Sequence, residues 1–400
     1  MIAAVLLLTQ QKSLLHQRIP APTGANGYEE FLRAADMISN DATLGKAVAT
    51  MTSRPDDGEV IGVRRTSLLK LRPVLTLLRA GATKPIAYPP RPPAQDLDEL
   101  ISFDEISALR QLMRILMTSA YVQLADAQSA GATSDLIAVY RMADLLAHNG
   151  AQIEALTATG TYSQMFFLLD RSFDGFAPAD LARIEEMADD AVERPFWSDV
   201  IKGELAQNSA MLDVSLKSFE EEIKGADREA VKKDPGMSAI LKMTPAQKKA
   251  LSERVKSQIG QSARNIAALG VRPEREWIPF AKDVDFPSGL PNTAEQVERF
   301  FADMGAIRMV GAVNFAAVRT KWRLVRLTAR LRRIMAEQDV LPKELPADLP
   351  ANYVQDGLAA GRLIFRSYPS GFSVESAGVV ETGVVTLTSR LPKVEERDRP

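Results

Sequence analysis

The sequence predicts a mainly α protein: an irregular helical-hairpin array or multi-helix bundle with a small C-terminal β-hairpin. Apolar residues recur at helical spacing over most of the chain, and nothing before residue 350 alternates with the period of two that is typical of strands. The tail instead combines short β-like runs with glycine-containing turns. Hydrophobic residues make up 46% of the 400 residues, which is enough to form a large core.

Composition and patterning divide the chain into five segments. They are an N-terminal lead-in (1–25), an all-α helical body (26–340), a proline-rich linker (341–355), a small β-hairpin tail (356–390) and a charged terminus expected to be disordered (391–400). The apolar run Met1–Leu8 is too short to span a membrane. It is interpreted either as the remnant of an export or anchor segment, or as a frayed or docked first turn of helix.

The helical body is predicted to begin with a helix capped by Asn26, a residue type that accepts backbone N–H groups at helix starts. A second helical run extends from Glu59 to Arg79, and Pro73 predicts a break within it. Five prolines between residues 83 and 95 predict an extended strap.

A pair of antiparallel helices is expected between Ser102 and Gly150. Ser102 and Glu105 form a capping-box pattern at the start of the first helix. Gly131 is predicted to end that helix and Ser134 to cap the second, which stops at Asn149-Gly150. Further helices are predicted over 151–172, 178–191, 197–224, 245–268 and about 293–338, the last with breaks allowed at Gly305 and Gly311.

In the tail, residues 362–366 and 372–376 are predicted to pair as a β-hairpin around a turn at 367–371. Residues 383–388 are a candidate third strand. A sheet of three strands is near the minimum size for stability, so this one is expected to pack against the helices.

Three stretches of the chain carry a family resemblance. The first is 19–35, the second is 71–81, and the third comprises Asp356, Gly361, Leu363, Phe365, Arg366, Gly371, Phe372, Val374, Ser376 and Gly378. Together they resemble a group of uncharacterised bacterial membrane-anchored, periplasm-facing helical proteins of planctomycete-like lineages, whose terminal hairpin motif is similar to pseudopilin-like tails. The resemblance implies an extracytoplasmic location and a helical shape, and no chemistry, because the group has no assigned activity.

The tail departs from the pseudopilin-like pattern at its calcium site. In those tails, acidic residues after the final Ser-x-Gly bind calcium. Here Ser376-Ala-Gly378 is followed by Val379, Val380 and Glu381, which supply too few oxygen ligands. Calcium is therefore not expected, and no other cofactor or metal is predicted.

Side-chain chemistry is sparse, because the chain has no cysteine and only two histidines, His16 and His148. Asp144 and His148 lie four residues apart and share one helix face, as in a metal-ligand pair or an Asp-oriented base. A catalytic metal would need a third ligand, for which Glu154 is the nearest candidate. The alternative is a histidine that stabilises the C-terminal end of its helix.

The sharpest pattern is a basic stripe on the last long helix. Arg319, Arg323, Arg326, Arg330 and Arg333 recur at spacings of four, three, four and three, with Lys321 beside them. One interpretation is a docking surface for an anionic partner: phospholipid, nucleic acid or an acidic protein. The other is internal pairing with the acidic residues of 180–193 or 220–222.

The sequence thus predicts a non-catalytic, extracytoplasmic helical scaffold or binding protein, and one interpretation of its N-terminal lead-in tethers it to the membrane. Two alternatives stay open: a hydrolase-type enzyme with its site around Asp144 and His148, and an adaptor that binds an anionic partner through the arginine stripe. Cytoplasmic location is the second choice. The formal net charge of -2 argues against nucleic acid as the partner.

Overall fold

The structure is a computed structural model that describes residues 15, 19, 21–51, 60–89, 103–194, 196–225, 243–270, 272–277, 311–338, 343–347, 349–369, 371–380 and 383–390. Within these residues it confirms the mainly α prediction, with twelve α-helices and one small antiparallel sheet. The helices of the first half are α1 (Gly27–Asn40), α2 (Ala42–Ala49), α3 (Val60–Lys70), α4 (Arg72–Thr83), α5 (Phe103–Ala125) and α6 (Ser129–Asn149). The remaining helices are α7 (Gln152–Ser172), α8 (Pro178–Glu193), α9 (Trp197–Gly225), α10 (Pro245–Ala267), α11 (Ala312–Gln338) and α12 (Ala351–Val354).

Helices α1 and α4 form the first packed pair. The Asn26 side chain accepts the Tyr28 N–H at 3.0 Å and caps α1, as predicted. The helices cross at two glycines: a Cβ on Gly27 would lie 2.1 Å from the carbonyl oxygen of Gly81, so only glycine permits this approach. Pro73 lies in the first turn of α4, where a missing N–H costs nothing, and the predicted break precedes it.

The link between α5 and α6 differs from the prediction. The turn falls at residues 126–128, where Ala127 adopts a left-handed φ of 55°. Gly131 and Ser134 lie inside α6, so the predicted break and cap are wrong. Gly131 packs close to Gln123, whose side chain would have to shift to make room for a Cβ at this position. The predicted cap Ser102 lies outside the described residues.

One continuous core joins these helices to α7, α8 and α11. Helix α11 begins directly after Gly311, one of the two predicted breaks, and runs against α8 over much of its length. Trp322 of α11 packs edge-on against Phe166 and Tyr162 of α7 and Tyr140 of α6, with ring centroids 4.8, 5.3 and 5.4 Å away. Tyr162 and Phe166 of α7 are therefore part of the core, whereas Phe167 is exposed.

Helices α9 and α10 form a long antiparallel pair, called here the helical arm. Helix α10 turns a stripe of every fourth residue towards α9, and these four side chains are buried: Leu251, Val255, Ile259 and Ala263. At the base of the arm, the Trp197 indole N–H donates to the Ile266 carbonyl at 3.0 Å. The same ring stacks on Trp277 with centroids 4.4 Å apart, which joins the arm to the chain that follows it.

The tail forms a three-stranded antiparallel sheet in the order β1 (Ile364–Tyr368), β2 (Gly371–Val380) and β3 (Gly383–Arg390), so the candidate third strand is confirmed. The first strand starts two residues later than predicted, because Arg362 pairs with Gln355 in an isolated bridge. Strands β2 and β3 lie against α11, which confirms that the sheet packs on the helices. None of the described helices is long and apolar enough to cross a bilayer. Residues 1–14 and 391–400 lie outside the described residues.

Candidate functional site

The arginines of α11 lie between helices rather than on a free face. Arg323 makes a bidentate contact with Glu274, with Nη1–Oε2 and Nη2–Oε1 distances of 3.0 and 2.8 Å. Arg319 reaches the same carboxylate at 2.9 Å. Glu274 is buried in a short 3₁₀ turn (Glu274–Glu276), so two guanidinium groups compensate one buried carboxylate.

Arg326 is the most enclosed member of the stripe. Its Nη1 lies 3.0 Å from Oδ1 of Asp189 on α8, and its Nη2 donates to the Asn352 carbonyl of α12. The guanidinium carbon lies 4.0 Å from the centroid of the Tyr353 ring. The Tyr353 hydroxyl donates to the other oxygen of Asp189 at 3.0 Å, which closes a small network between α8, α11 and α12.

The last two arginines of the stripe share a second acid on α8. Arg330 and Arg333 lie 3.9 and 3.3 Å from the Glu185 carboxylate. Burial raises the pKa of Glu185 even though Arg330 opposes that shift. We call the five arginines and their partners Glu185, Asp189 and Glu274 the arginine seam.

The contacts of the arginine seam bear on whether the stripe binds an external anionic partner or pairs with acids of its own chain. All five arginines contact acids of the same chain, so the internal pairing weighed above describes these contacts. Helix α8 was one expected source of acids, whereas the side chains of 220–222 lie outside the described residues. Glu274 was missed, since a single acid in a short turn has no sequence signal. Binding of an external anionic partner by the stripe stays a prediction.

Lys321, the remaining predicted site residue, differs from the arginines. Its ammonium lies 5.6 Å from the centroid of the Phe166 ring, and burial lowers the pKa of its side chain. Among the described residues no acidic group pairs with it. One lone cation on an aromatic face does not amount to a binding site.

The arginine seam also holds the tail. The Arg275 N–H donates to the Gly357 carbonyl at 3.0 Å. A Cβ on Gly357 would lie 2.0 Å from Nη1 of Arg323, so the tail enters against the Arg323–Glu274 pair only because residue 357 is a glycine. The seam thus docks the start of the tail onto α11.

Asp356 organises the tail from within. Its buried carboxylate accepts the Ala377 N–H at 2.7 Å, the Leu358 N–H at 2.9 Å and the Ser376 hydroxyl at 2.8 Å. A Cβ on Gly378 would lie 2.4 Å from Cβ of Leu358. Three residues of the hairpin motif therefore hold residues 356–358 against β2: Asp356, Ser376 and Gly378.

His148 lies at the end of α6 between two carboxylates. Its Nε2 lies 3.2 Å from Oδ1 of Asp144, and its Nδ1 lies 2.9 Å from Oδ2 of Asp199 on α9. Burial lowers the pKa of His148, but the contacts with Asp144 and Asp199 outweigh this effect and raise it overall. The predicted Asp144–His148 proximity is therefore present, with a second acid that sequence spacing did not indicate.

The charged and polar side chains around Asp144 and His148 also contact one another. Arg194 lies 3.1 Å from Asp144 and 3.2 Å from Asp190, and the Tyr140 hydroxyl donates to Asp190 at 2.7 Å. Glu154, the candidate third ligand, instead accepts the Ala151 N–H at 3.0 Å and caps α7. Within the described part of the chain, no group of three or more acidic or histidine side chains is arranged to hold a metal ion.

The same region attaches the helical arm to the body. Three successive contacts join α9 to the end of α6 and to the turn that follows it. The first of them is His148–Asp199. A Cβ on Gly203 would lie 2.2 Å from the Gly150 carbonyl oxygen, and the Gln152 N–H donates to Glu204 at 2.9 Å. Burial raises the pKa of Glu204. The base of the arm is therefore attached to the body by an ion pair, a close backbone contact and a helix cap.

Comparison with known proteins returns no match to a protein-family model, a curated protein or a solved structure.

Proposed function

We propose that this protein is a non-catalytic helical scaffold or binding protein. The observation that carries the proposal is the state of His148, whose two ring nitrogens both face carboxylates, Asp144 and Asp199. Its raised pKa favours the charged ring, which neither accepts a proton from a substrate nor binds a metal. This favours a structural role for the pair over the hydrolase alternative.

The helical arm is the element best suited to receive a partner. One face of α10 is buried against α9, whereas the opposite face exposes mainly polar side chains: Lys249, Glu253, Gln258, Gln261 and Asn265. This face of α10 offers a long polar contact surface. A surface of this composition suits another protein as partner, recognised through hydrogen bonds and charges.

The extracytoplasmic, N-terminally tethered location is proposed from the family resemblance alone. The residues that carry the resemblance have structural roles in this fold. Gly27 and Gly81 permit the crossing of α1 and α4, and Asp356 fastens the tail through Ser376.

The binding role is tested by photocrosslinking in cells. A photoreactive phenylalanine analogue is placed at Gln258 or Gln261 on the arm, with exposed Thr76 of α4 as the matched control position. We expect a discrete crosslinked protein from the arm positions and none from the control. Equal crosslinking at all positions, or none at the arm, would contradict a partner-binding arm. If His148→Gln abolishes biological activity while leaving the arm crosslink intact, the hydrolase alternative is favoured.

Location is tested by cysteine labelling, for which this chain is well suited because it has no native cysteine. A single Gln258→Cys variant, expressed from the complete gene, is treated with a membrane-impermeant maleimide in intact spheroplasts. Labelling before lysis supports the extracytoplasmic location. Labelling only after lysis would support the cytoplasmic alternative.

A further inference from the structure

Helix α3 exposes apolar side chains and buries polar ones. Leu69 is 74% exposed and Val63 is 52% exposed, and they are two of only four large hydrophobic side chains exposed among the described residues. The opposite face of α3 is buried and carries Arg64 and Ser67. The Ser67 hydroxyl lies 2.8 Å from that of Thr50, which holds this polar face against the body.

Basic residues are frequent in the segment that carries the exposed apolar residues. Residues 60–95 contain seven Lys and Arg residues and no Asp or Glu. Three of these cations pair with acids elsewhere in the fold, as in the contacts Arg65–Asp126, Arg79–Asp135 and Lys84–Glu30.

Two cations beside Leu69 differ from those three. Lys70 and Arg72 are exposed, and no acidic group pairs with either among the described residues. Val63, Leu69, Lys70 and Arg72 therefore form one apolar and cationic surface, called here the α3 face.

We propose that the α3 face is a contact site for an anionic lipid surface. Aliphatic side chains on a surface helix enter the boundary between headgroups and acyl chains, and flanking Lys and Arg side chains are attracted to anionic headgroups. The α3 face supplies both groups: Val63, Leu69 and Lys70 lie on α3, and Arg72 is the first residue of α4.

A lipid surface fits the α3 face better than an acidic protein does. The residues between the two aliphatic side chains, Gly62 and Thr66, provide few hydrogen-bonding groups for specific recognition, and the hydroxyl of Thr66 already donates to the Gly62 carbonyl. The face also has no aromatic anchor of the kind that dominates protein interfaces. An anionic lipid surface can be bound without specific hydrogen bonds and without an aromatic anchor. This inference goes beyond the proposed function and does not depend on the arm or on an N-terminal tether.

The experiment is co-sedimentation of the purified full-length chain with phosphatidylcholine vesicles, with and without about one third phosphatidylserine. We expect binding to the anionic vesicles only, weakened at high salt because the charges are exposed. Lys70→Glu with Arg72→Glu is expected to lower the partition coefficient more than about tenfold, since one basic residue is worth roughly fivefold. Val63→Ser with Leu69→Ser is expected to lower it several-fold without changing the thermal unfolding transition.

A charge-matched control distinguishes this face from general electrostatic attraction. Lys249→Glu with Lys343→Glu changes the net charge equally at two exposed sites on other segments. The control is expected to bind like the unmodified chain. An equal loss in the control would overturn the proposal, and so would a failure of the unmodified chain to bind anionic vesicles, which would leave an acidic protein as the occupant of the face. Neither result bears on the crosslinking test of the arm.

Discussion

Arg326 and Asp189 form an ion pair that joins α11 to α8, with an Nη1–Oδ1 distance of 3.0 Å. The Arg326 side chain is 0% exposed, and besides Asp189 it contacts the Asn352 carbonyl and the Tyr353 ring. A guanidinium buried in this way is stable only while its partners are present. The pair therefore connects the helical body to the segment that leads into the tail.

We expect Arg326→Ala to lower the free energy of unfolding by about 3 kcal/mol, because it leaves Asp189 without its buried partner. Arg330→Ala is the matched control on the same helix. Its side chain is 36% exposed and lies 3.9 Å from Glu185, so its loss should cost about 1 kcal/mol or less. Urea unfolding followed by circular dichroism measures both variants. Equal losses would contradict a special role for Arg326.

Protonation of His148 is expected to stabilise the base of the arm. Since the folded-state pKa is raised above its ordinary value of 6.5, the stabilisation is fully present below that pH and is lost as the pH rises through the folded-state pKa. Unfolding measurements above pH 6.5 should show this loss, and His148→Gln should remove it. With only one other histidine, His16, the ring proton of His148 can be followed by NMR after His16→Gln assigns the signals. A pKa of His148 at or below 6.5 would contradict stabilisation of its charged form by Asp144 and Asp199.

Asp356→Asn should loosen the tail without unfolding the helices. An amide cannot accept every hydrogen bond that the Asp356 carboxylate accepts from Ser376 and the backbone, and its NH₂ group would face the Ala377 N–H. Hydrogen exchange measured by mass spectrometry is expected to rise in residues 356–378 and to stay unchanged in α5 and α6. Exposed Asp213→Asn on α9 is the control and should leave exchange in the tail unaltered. An unchanged tail in Asp356→Asn would refute this role.

Gly203→Ala is expected to destabilise the base of the arm by about 1–3 kcal/mol, because the added methyl group overlaps the Gly150 carbonyl. Gly160→Ala in the middle of α7 is a matched control. A Cβ there meets no atom within 4 Å, so alanine should stabilise that helix by roughly 0.5–1 kcal/mol. Thermal unfolding measures whether each variant is less or more stable than the unmodified chain. A neutral Gly203→Ala would mean that α9 is free to move away from the turn between α6 and α7.

Local signals in the sequence predicted most helix ends correctly. Asn26 caps α1, Pro73 marks the first turn of α4, and α6 ends at Asn149-Gly150. Gly131 misled the prediction because a glycine that permits close packing looks the same in sequence as a glycine that ends a helix. The turn formed instead at Ala127, which carries no conventional turn signal.

The sequence by itself determined that the protein is mainly helical and that its tail is a small sheet, because helix and strand periodicities are local properties of the chain. The spacing of the arginines likewise placed them on one stripe of α11. Only the tertiary structure decided what they contact, since Arg326 meets Asp189 across 137 residues and Arg323 meets Glu274 across 49. The second carboxylate at His148, from Asp199, comes from a helix 51 residues away. Such partners depend on how the helices pack, and a local pattern of residues does not determine that packing.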